Sequence, residues 1–205
     1  MLTLLFEKPM HPYEMSSTLR FRAKEESVKI NWGSLYTVVE SLQRRGLIEA
    51  VNRSRAGRRP ERTVYSLTDT GEREMRDWLS ELLARPTRQF TDFEAALSLM
   101  PVLHPETVRT LLRERLEALT EDEQAYQQMR ASSGMFPRLL LIEGEYRAVL
   151  RRAETDFVAA LLHDLDDGSF DGLPGWRRLH ELKEAGVGAE LMPMVLKEFF
   201  PGTET

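Results

Sequence analysis

Along most of this 205-residue chain apolar residues recur at intervals of three and four, and they alternate in only one place. That pattern predicts a helical protein carrying a single small β-hairpin. Leu2 to Glu7, Pro12 to Arg20 and Gly33 to Arg45 are the first three expected helices, with Pro9 breaking the chain between the first two. In the third, Leu35, Val38, Val39 and Leu42 make the apolar stripe, so Ser34, Tyr36, Thr37, Glu40, Ser41 and Arg44 fall on the opposite side. Gly46 stands where a helix C-terminus takes a left-handed residue, which ends that helix near Arg45. Residues 21–32 form a longer connection whose Trp32 is expected to plug the helix packing. Leu47 to Asn52 and Arg62 to Leu67 read as two strands around a tip containing Gly57 and Pro60.

After the hairpin, Thr68 or Asp69 caps a helix with Met75, Trp78, Leu79, Leu82 and Leu83 on one side, and Asp69 with Glu72 fits a reciprocal capping pattern. The periodicity lapses around Pro86, which divides the chain into residues 1–85 and 86–205. Beyond it, Phe93 to Met100 is a short helix stopped by Pro101. His104 and Pro105 then open a helix that runs toward Arg130 with Val108, Leu111, Leu112, Leu116 and Leu119 inward, although Thr120 and Glu123 could mark a new start. Ser132-Ser-Gly134 signals a turn. Pro137 to Asp164 is a second long helix with Leu139, Ile142, Tyr146, Val149, Leu150, Ala153, Phe157, Ala160, Leu161 and Leu165 on one broad apolar side. One antiparallel neighbour cannot cover so wide a stripe, so burial against a second copy is expected, with an intramolecular bundle closed by the tail as the alternative. Trp176 to Ala185 and Ala189 to Phe199 are two short helical pieces, and Leu191, Met192, Val195, Leu196, Phe199 and Phe200 are too apolar for a free tail.

Charge separates the two parts. Residues 1–76 hold 14 Lys+Arg against 10 Asp+Glu, a net of +4, while the remaining 129 hold 14 against 23, a net of −9. A basic head on an acidic body suits a head that binds a polyanion and a body that does not. Five arginines, Arg53, Arg55, Arg58, Arg59 and Arg62, crowd the hairpin tip beside a single acid, Glu61. They suit phosphate, and the bland alternative is a solvated arginine-rich loop. A helix with a polar outer face followed at once by a basic hairpin is a DNA-binding layout. In it Ser34 and the first-turn N–H groups meet a phosphate, and Tyr36 and Thr37 face base edges or sugars.

The same residues carry a resemblance. Pro9-Met-His-Pro-Tyr-Glu-Met15, Gly33-Ser-Leu-Tyr36, Leu42-Gln-Arg-Arg-Gly-Leu-Ile48, Gly57-Arg-Arg-Pro60 and Val64-Tyr-Ser-Leu-Thr-Asp-Thr-Gly71 follow one another as in the PadR family of bacterial transcriptional regulators, which the first eighty or so residues resemble. Pro12 departs from it, standing where many relatives have glycine. The resemblance implies a mainly α fold: an N-terminal winged helix-turn-helix with a small β-hairpin wing, plus an all-α C-terminal dimerisation domain. It implies DNA contacts from Ser34, Tyr36 and Thr37 in the major groove and from Arg58, Arg59 and Arg62 on the flanking backbone or minor groove. Ser41, Arg44 and Arg55 complete the expected DNA-binding set, and Leu139, Ile142, Tyr146, Val149, Leu150, Ala153, Phe157 and Leu161 the expected dimer contacts. The implied function is a homodimeric repressor on an inverted-repeat operator of double-stranded DNA, released in some relatives by a small-molecule effector. Phe90, Phe93, Tyr126, Phe136, Tyr146 and Phe157 are candidates to line an effector pocket, though aromatics at helical spacing more often build core.

Other chemistries find little support. The chain has no cysteine, which removes disulfides, Cys-ligated zinc and a thiol nucleophile. His11, His104, His163 and His180 show no zinc-ligand spacing. Asp164 to Gly172 fails as a calcium loop, because Ser169 and Gly175 stand where glycine and a bidentate Glu are needed, and reads as a polar turn. Ser34 lacks the second glycine of a hydrolase elbow. No catalytic residue, cofactor or metal is therefore expected. With neither a membrane span nor a secretion leader, a cytoplasmic protein is expected. The competing reading of the head is a winged helix that binds another protein.

Overall fold

The computed structural model describes residues 1–54, 62–132, 134 and 137–186. The described chain divides into two compact units, residues 1–89 and a second beginning at Phe90.

In the first unit, α1 (Leu2–Glu7) and α2 (Pro12–Phe21) lie either side of an extended turn at Met10. His11 caps α2 by accepting from the Tyr13 N–H at 3.1 Å. The third helical segment is a 3₁₀ turn, Trp32–Ser34, followed by α3 (Leu35–Arg44), where one continuous helix from Gly33 was expected. Asn31 causes the difference: its side chain accepts from the Gly33 N–H at 3.1 Å and its carbonyl from the Ser34 hydroxyl at 3.0 Å, tightening the entry by a residue. Gly46, at φ +70°, closes α3 with its N–H on the Gln43 carbonyl. Then β1 (Ile48–Ser54) and β2 (Arg62–Leu67) pair antiparallel, with Val51 as an extra residue between the Ala50–Tyr65 and Asn52–Val64 pairs. β1 thus begins one residue later and runs two residues further than alternation alone suggested.

Sequence patterning missed a third partner in this ribbon. Met10 bridges Tyr65 through both backbone bonds, each 3.0 Å, so β2 is flanked on its other edge by the α1–α2 turn. The core beneath consists of Leu4, Leu5, Met10, Met15, Leu35, Val39 and Ile48, with Trp32, Leu42, Tyr65 and Leu67 packed against it. Val38, assigned to the buried stripe, lies at its edge and is 41 % exposed.

α4 (Asp69–Ala84) is capped by Thr68, whose hydroxyl oxygen accepts from the Gly71 N–H at 3.1 Å. The Asp69–Glu72 capping pair therefore does not operate; Glu72 receives Arg76 one turn on instead. Of the expected apolar stripe only Met75 is buried, and Trp78, Leu82 and Leu83 are exposed.

In the second unit, α5 (Asp92–Leu99) starts at Thr91, which caps it through the Glu94 N–H, and gives way to a 3₁₀ turn, Met100–Val102, at Pro101. α6 (Pro105–Ser132) is one unbroken helix, so Thr120 and Glu123 start nothing new. His104 caps it by accepting from the Glu106 N–H. A second 3₁₀ turn, Arg138–Leu140, occupies the expected start of the long helix, and α7 (Ile142–Asp167) follows, ended by Gly168 at φ +79°. Of the expected polar turn Asp164 to Gly172, the first four residues are the last turn of α7; Gly168 to Gly172 make the turn, where Asp167 accepts from the Ser169 N–H, and α8 (Leu173–Glu184) returns from it. Trp176 of α8 is buried and donates its indole N–H to the Leu103 carbonyl at 2.9 Å. The expected helix Ala189 to Phe199 lies outside the described residues.

α6 and α7 run antiparallel, tied by Arg109 to Asp166 near one end and Arg130 to Glu145 near the other. Their shared core sits at one end only: Val108, Leu112, Val158, Leu161, Leu162 and Leu165 close on Leu173 and Trp176. Beyond Leu112 no α6 residue is fully buried, and before Val158 α7 buries only Gly144 and Ala148. There the contact is made by close approach, since a methyl group added at Gly144 would come within 3.3 Å of the Tyr126 ring.

Candidate nucleic-acid interface

A helix that anchors one side leaves the other to solvent, and α3 does so cleanly. Leu35 and Val39 are buried and Leu42 packs beside them. Tyr36, Thr37, Glu40 and Arg44 are exposed, and Ser41 is half-buried at the margin. At 100° per residue these positions span one continuous face opposite the core stripe. Tyr36, 58 % exposed, projects its ring from the first turn. Its phenol, the Thr37 hydroxyl and the Arg44 guanidinium can donate to phosphates or base edges, while Glu40 accepts only and suits an exocyclic amine.

Ser34 is the expected contact that the structure alters most. It sits in the 3₁₀ turn as the residue before α3, with its hydroxyl hydrogen directed to the Asn31 carbonyl, so a phosphate would have to draw it away. Trp32 lies against the core with the Arg20 guanidinium 4.4 Å from its ring centroid, so it stiffens the turn from behind. Asn31, which organises this turn, went unnoticed in the sequence; an Asn two residues before Gly-Ser at a helix start is the signal that would have found it.

The basic run is continuous in sequence with the two paired strands. Arg62 begins β2, paired by backbone with Ser54, and Arg53 pairs with Thr63. Arg55, Arg58 and Arg59 lie outside the described residues, as do the side chains of Arg53 and Arg62. Arg45 is differently placed: it pairs with Glu74 of α4 and is held away from the outward face. Glu7 and Arg22 make a two-pronged pair, 2.5 and 2.8 Å, at the ends of α1 and α2. That hydrogen bonding holds the Glu7 carboxyl below its usual range.

On α7 the expected dimer contacts separate. Ile142, Tyr146, Val149, Leu150, Ala153 and Phe157 are exposed and share a side of the helix. Leu139 is exposed too, but in the preceding 3₁₀ turn. Leu161 is only 9 % exposed and belongs to the core of its own chain, which removes it from the set. Of the candidate pocket aromatics, Phe93 and Phe157 meet edge to face at 6.4 Å, with Arg115 3.7 Å over the Phe93 ring. Tyr126 packs by Gly144 and Arg151, Tyr146 and Phe90 are exposed, and Phe136 lies outside the described residues. Among the described residues no cluster of His, Asp or Glu could hold a metal ion, and no helix is long and apolar enough to cross a membrane.

Comparison with known proteins agrees with this geometry. Residues 1–77 match the family model described as the Transcriptional regulator PadR-like family. No curated protein matches the chain. Among solved structures, Bacillus subtilis PadR in complex with operator DNA is similar at 17 % identity and a TM-score of 0.63, over 80 % of this chain and 96 % of that one. The same protein in complex with p-coumaric acid is similar at 17 % identity and a TM-score of 0.64, over 80 % and 95 %. The Vibrio cholerae virulence activator AphA is similar at 20 % identity and a TM-score of 0.60, over 81 % and 95 %. The likeness extends through both units, and the fold is that of a PadR-like transcriptional regulator, with a winged head and a helical second unit.

Proposed function

With residues 1–77 forming a PadR-like domain, we propose that this chain is a homodimeric, DNA-binding transcriptional repressor that reads an inverted-repeat operator through α3. The observation that carries the proposal is the outward face of α3. Tyr36, Thr37, Glu40, Ser41 and Arg44 stand together there, immediately before a β-ribbon whose tip is rich in arginine. In this reading α3 enters the major groove. Tyr36 and Thr37 meet base edges or sugars, Ser34, Ser41 and Arg44 the margins, and Arg55, Arg58, Arg59 and Arg62 the flanking phosphates. Glu40, not among the residues first expected, would accept from a cytosine amine.

The dimer in this reading forms through the open side of α7, where Ile142, Tyr146, Val149, Leu150 and Phe157 are left largely exposed by the described residues of their own chain. Two heads joined through that side would address half-sites about one helical turn, roughly 34 to 36 Å, apart. The relative solved with p-coumaric acid supports a small-molecule effector acting on the second unit and releasing DNA. A titration by fluorescence anisotropy, against DNA from upstream of the coding region and against unrelated duplexes, tests the reading. Tyr36→Ala and Thr37→Ala should each reduce the preference for the specific duplex about tenfold, the loss of roughly one base contact. Equal affinity for all duplexes in the parent and both variants would refute α3 as the reading element. Retained binding to a partner protein alongside that result would favour a protein-interaction role for the head.

A further inference from the structure

Where α3 ends and α4 begins, four contacts converge on three residues. The Thr68 N–H donates to the Leu47 carbonyl at 3.2 Å, and the Thr68 hydroxyl donates to the Gly46 carbonyl at 2.7 Å. The same hydroxyl oxygen accepts from the Gly71 N–H, so one side chain both caps α4 and holds the exit of α3. Gly71 is pressed against that exit: a methyl group there would stand 2.0 Å from the Leu47 carbonyl oxygen. Arg45 and Glu74 close the outer side as an ion pair. Leu47, in the middle, is 2 % exposed.

We infer that Thr68, Gly71 and Glu74 are positioning residues that clamp the C-terminal end of α3 to the first turn of α4, so that the two helices turn as one body and the clamp sets the angle at which α3 is presented. The inference rests on the proposed DNA-reading role of α3, and it assigns to α4 a part in recognition that needs no contact with DNA. A helix whose exit connection is free can rock; here the Gly46 and Leu47 carbonyls, directly after α3, are bonded to the cap of the next helix, and the Leu47 N–H is bonded back to the Leu42 carbonyl of α3, so rocking would break those bonds. The weights are unequal. Arg45–Glu74 is exposed and contributes little by itself, whereas the Thr68 hydroxyl serves two bonds at once and Gly71 leaves no space for slippage.

The test uses the full chain, which is free of cysteine, so two introduced cysteines carry spin labels without competition. Labels at the exposed positions Gln43 on α3 and Ser80 on α4, diluted with unlabelled protein, report the distance distribution between the helices. Thr68→Val should broaden it, Thr68→Ser should restore it, and Glu74→Gln should add a smaller broadening. In parallel, duplexes whose half-sites are moved one base pair closer or further apart measure the discrimination between spacings. It should fall at least threefold in Thr68→Val and recover in Thr68→Ser. A distribution and a spacing preference both unchanged in Thr68→Val, with only the melting temperature lowered, would reduce Thr68 to a simple helix cap and overturn the clamp. A broadened distribution in a protein whose parent shows no DNA preference would uphold the clamp while refuting the DNA-reading role.

Discussion

At residue 71 the head tolerates glycine alone. Gly71→Ala would drive a methyl into the Leu47 carbonyl, and backbone cannot step aside as a flexible side chain does. We expect a loss of about 3 kcal/mol, at the upper end of overpacking costs, seen as a lower denaturation midpoint. Ala23 is the opposite case. It follows α2 at φ +48°, a left-handed conformation that costs a residue with a Cβ, and nothing in its sequence surroundings announces it. Ala23→Gly should be neutral to stabilising, by up to about 1 kcal/mol, because relief of the strain offsets the greater freedom of the unfolded chain. Gly46 was legible because it follows a periodic helix; Ala23 was not, because alanine is ordinary everywhere. In the wing, Arg58→Ala or Arg59→Ala should weaken binding to every duplex alike. Each should lower the slope of log affinity against log salt by about one, as a phosphate contact does.

Among the elements, α7 shows most clearly what periodicity could and could not tell. Its apolar residues cover more than one side, so hydrophobicity alone did not say which side faces α6. Two seams at heptad spacing run along it. Gly144, Ala148, Arg151, Thr155, Val158, Leu162 and Leu165 form the one that meets α6, and Ile142, Tyr146, Val149, Ala153 and Phe157 the one that the described residues leave open. The small residues Gly144 and Ala148 decided the matter, since they let α6 approach closely while the larger side chains were left outside. Tyr146→Asp or Phe157→Asp should therefore convert the proposed dimer to monomer in sedimentation or light scattering with helix content nearly unchanged. Either variant remaining dimeric would place the interface elsewhere. In the head, the three helices and both strands were readable from the chain, but the Met10–Tyr65 bridge was not, because two isolated backbone bonds impose no pattern on side chains. The pair between α1 and α2 has a pH signature. Hydrogen bonding from Arg22 lowers the folded-state titration of Glu7, so its contribution is complete above the ordinary glutamate range and is lost as pH falls through the folded value. Glu7→Gln should thus lower stability near neutrality, by no more than about 1 kcal/mol for so exposed a pair, and converge with the parent in acid.

For the molecule as a whole, the tail divides differently from its sequence pattern. Leu173 and Trp176 are core residues of the second unit, so a chain ending at Gly168 should lose helix content as well as stability. One ending at Gly186 keeps α8 and isolates what the last nineteen residues contribute. The charge split, +4 over residues 1–76 and −9 beyond, would keep the acidic unit off DNA in the proposed complex. The open seam of α7 has one more consequence, and it concerns abundance. If the proposed dimer covers that surface, the fold is subject to mass action: diluted, it would come apart, and concentrated, it would harden. Melting curves at protein levels a hundredfold apart should differ by several degrees, the richer sample melting later. In a cell the same law would make dilution act as a mild denaturant and leave scarce copies to proteolysis, so that the supply of folded protein would rise more steeply than its rate of synthesis.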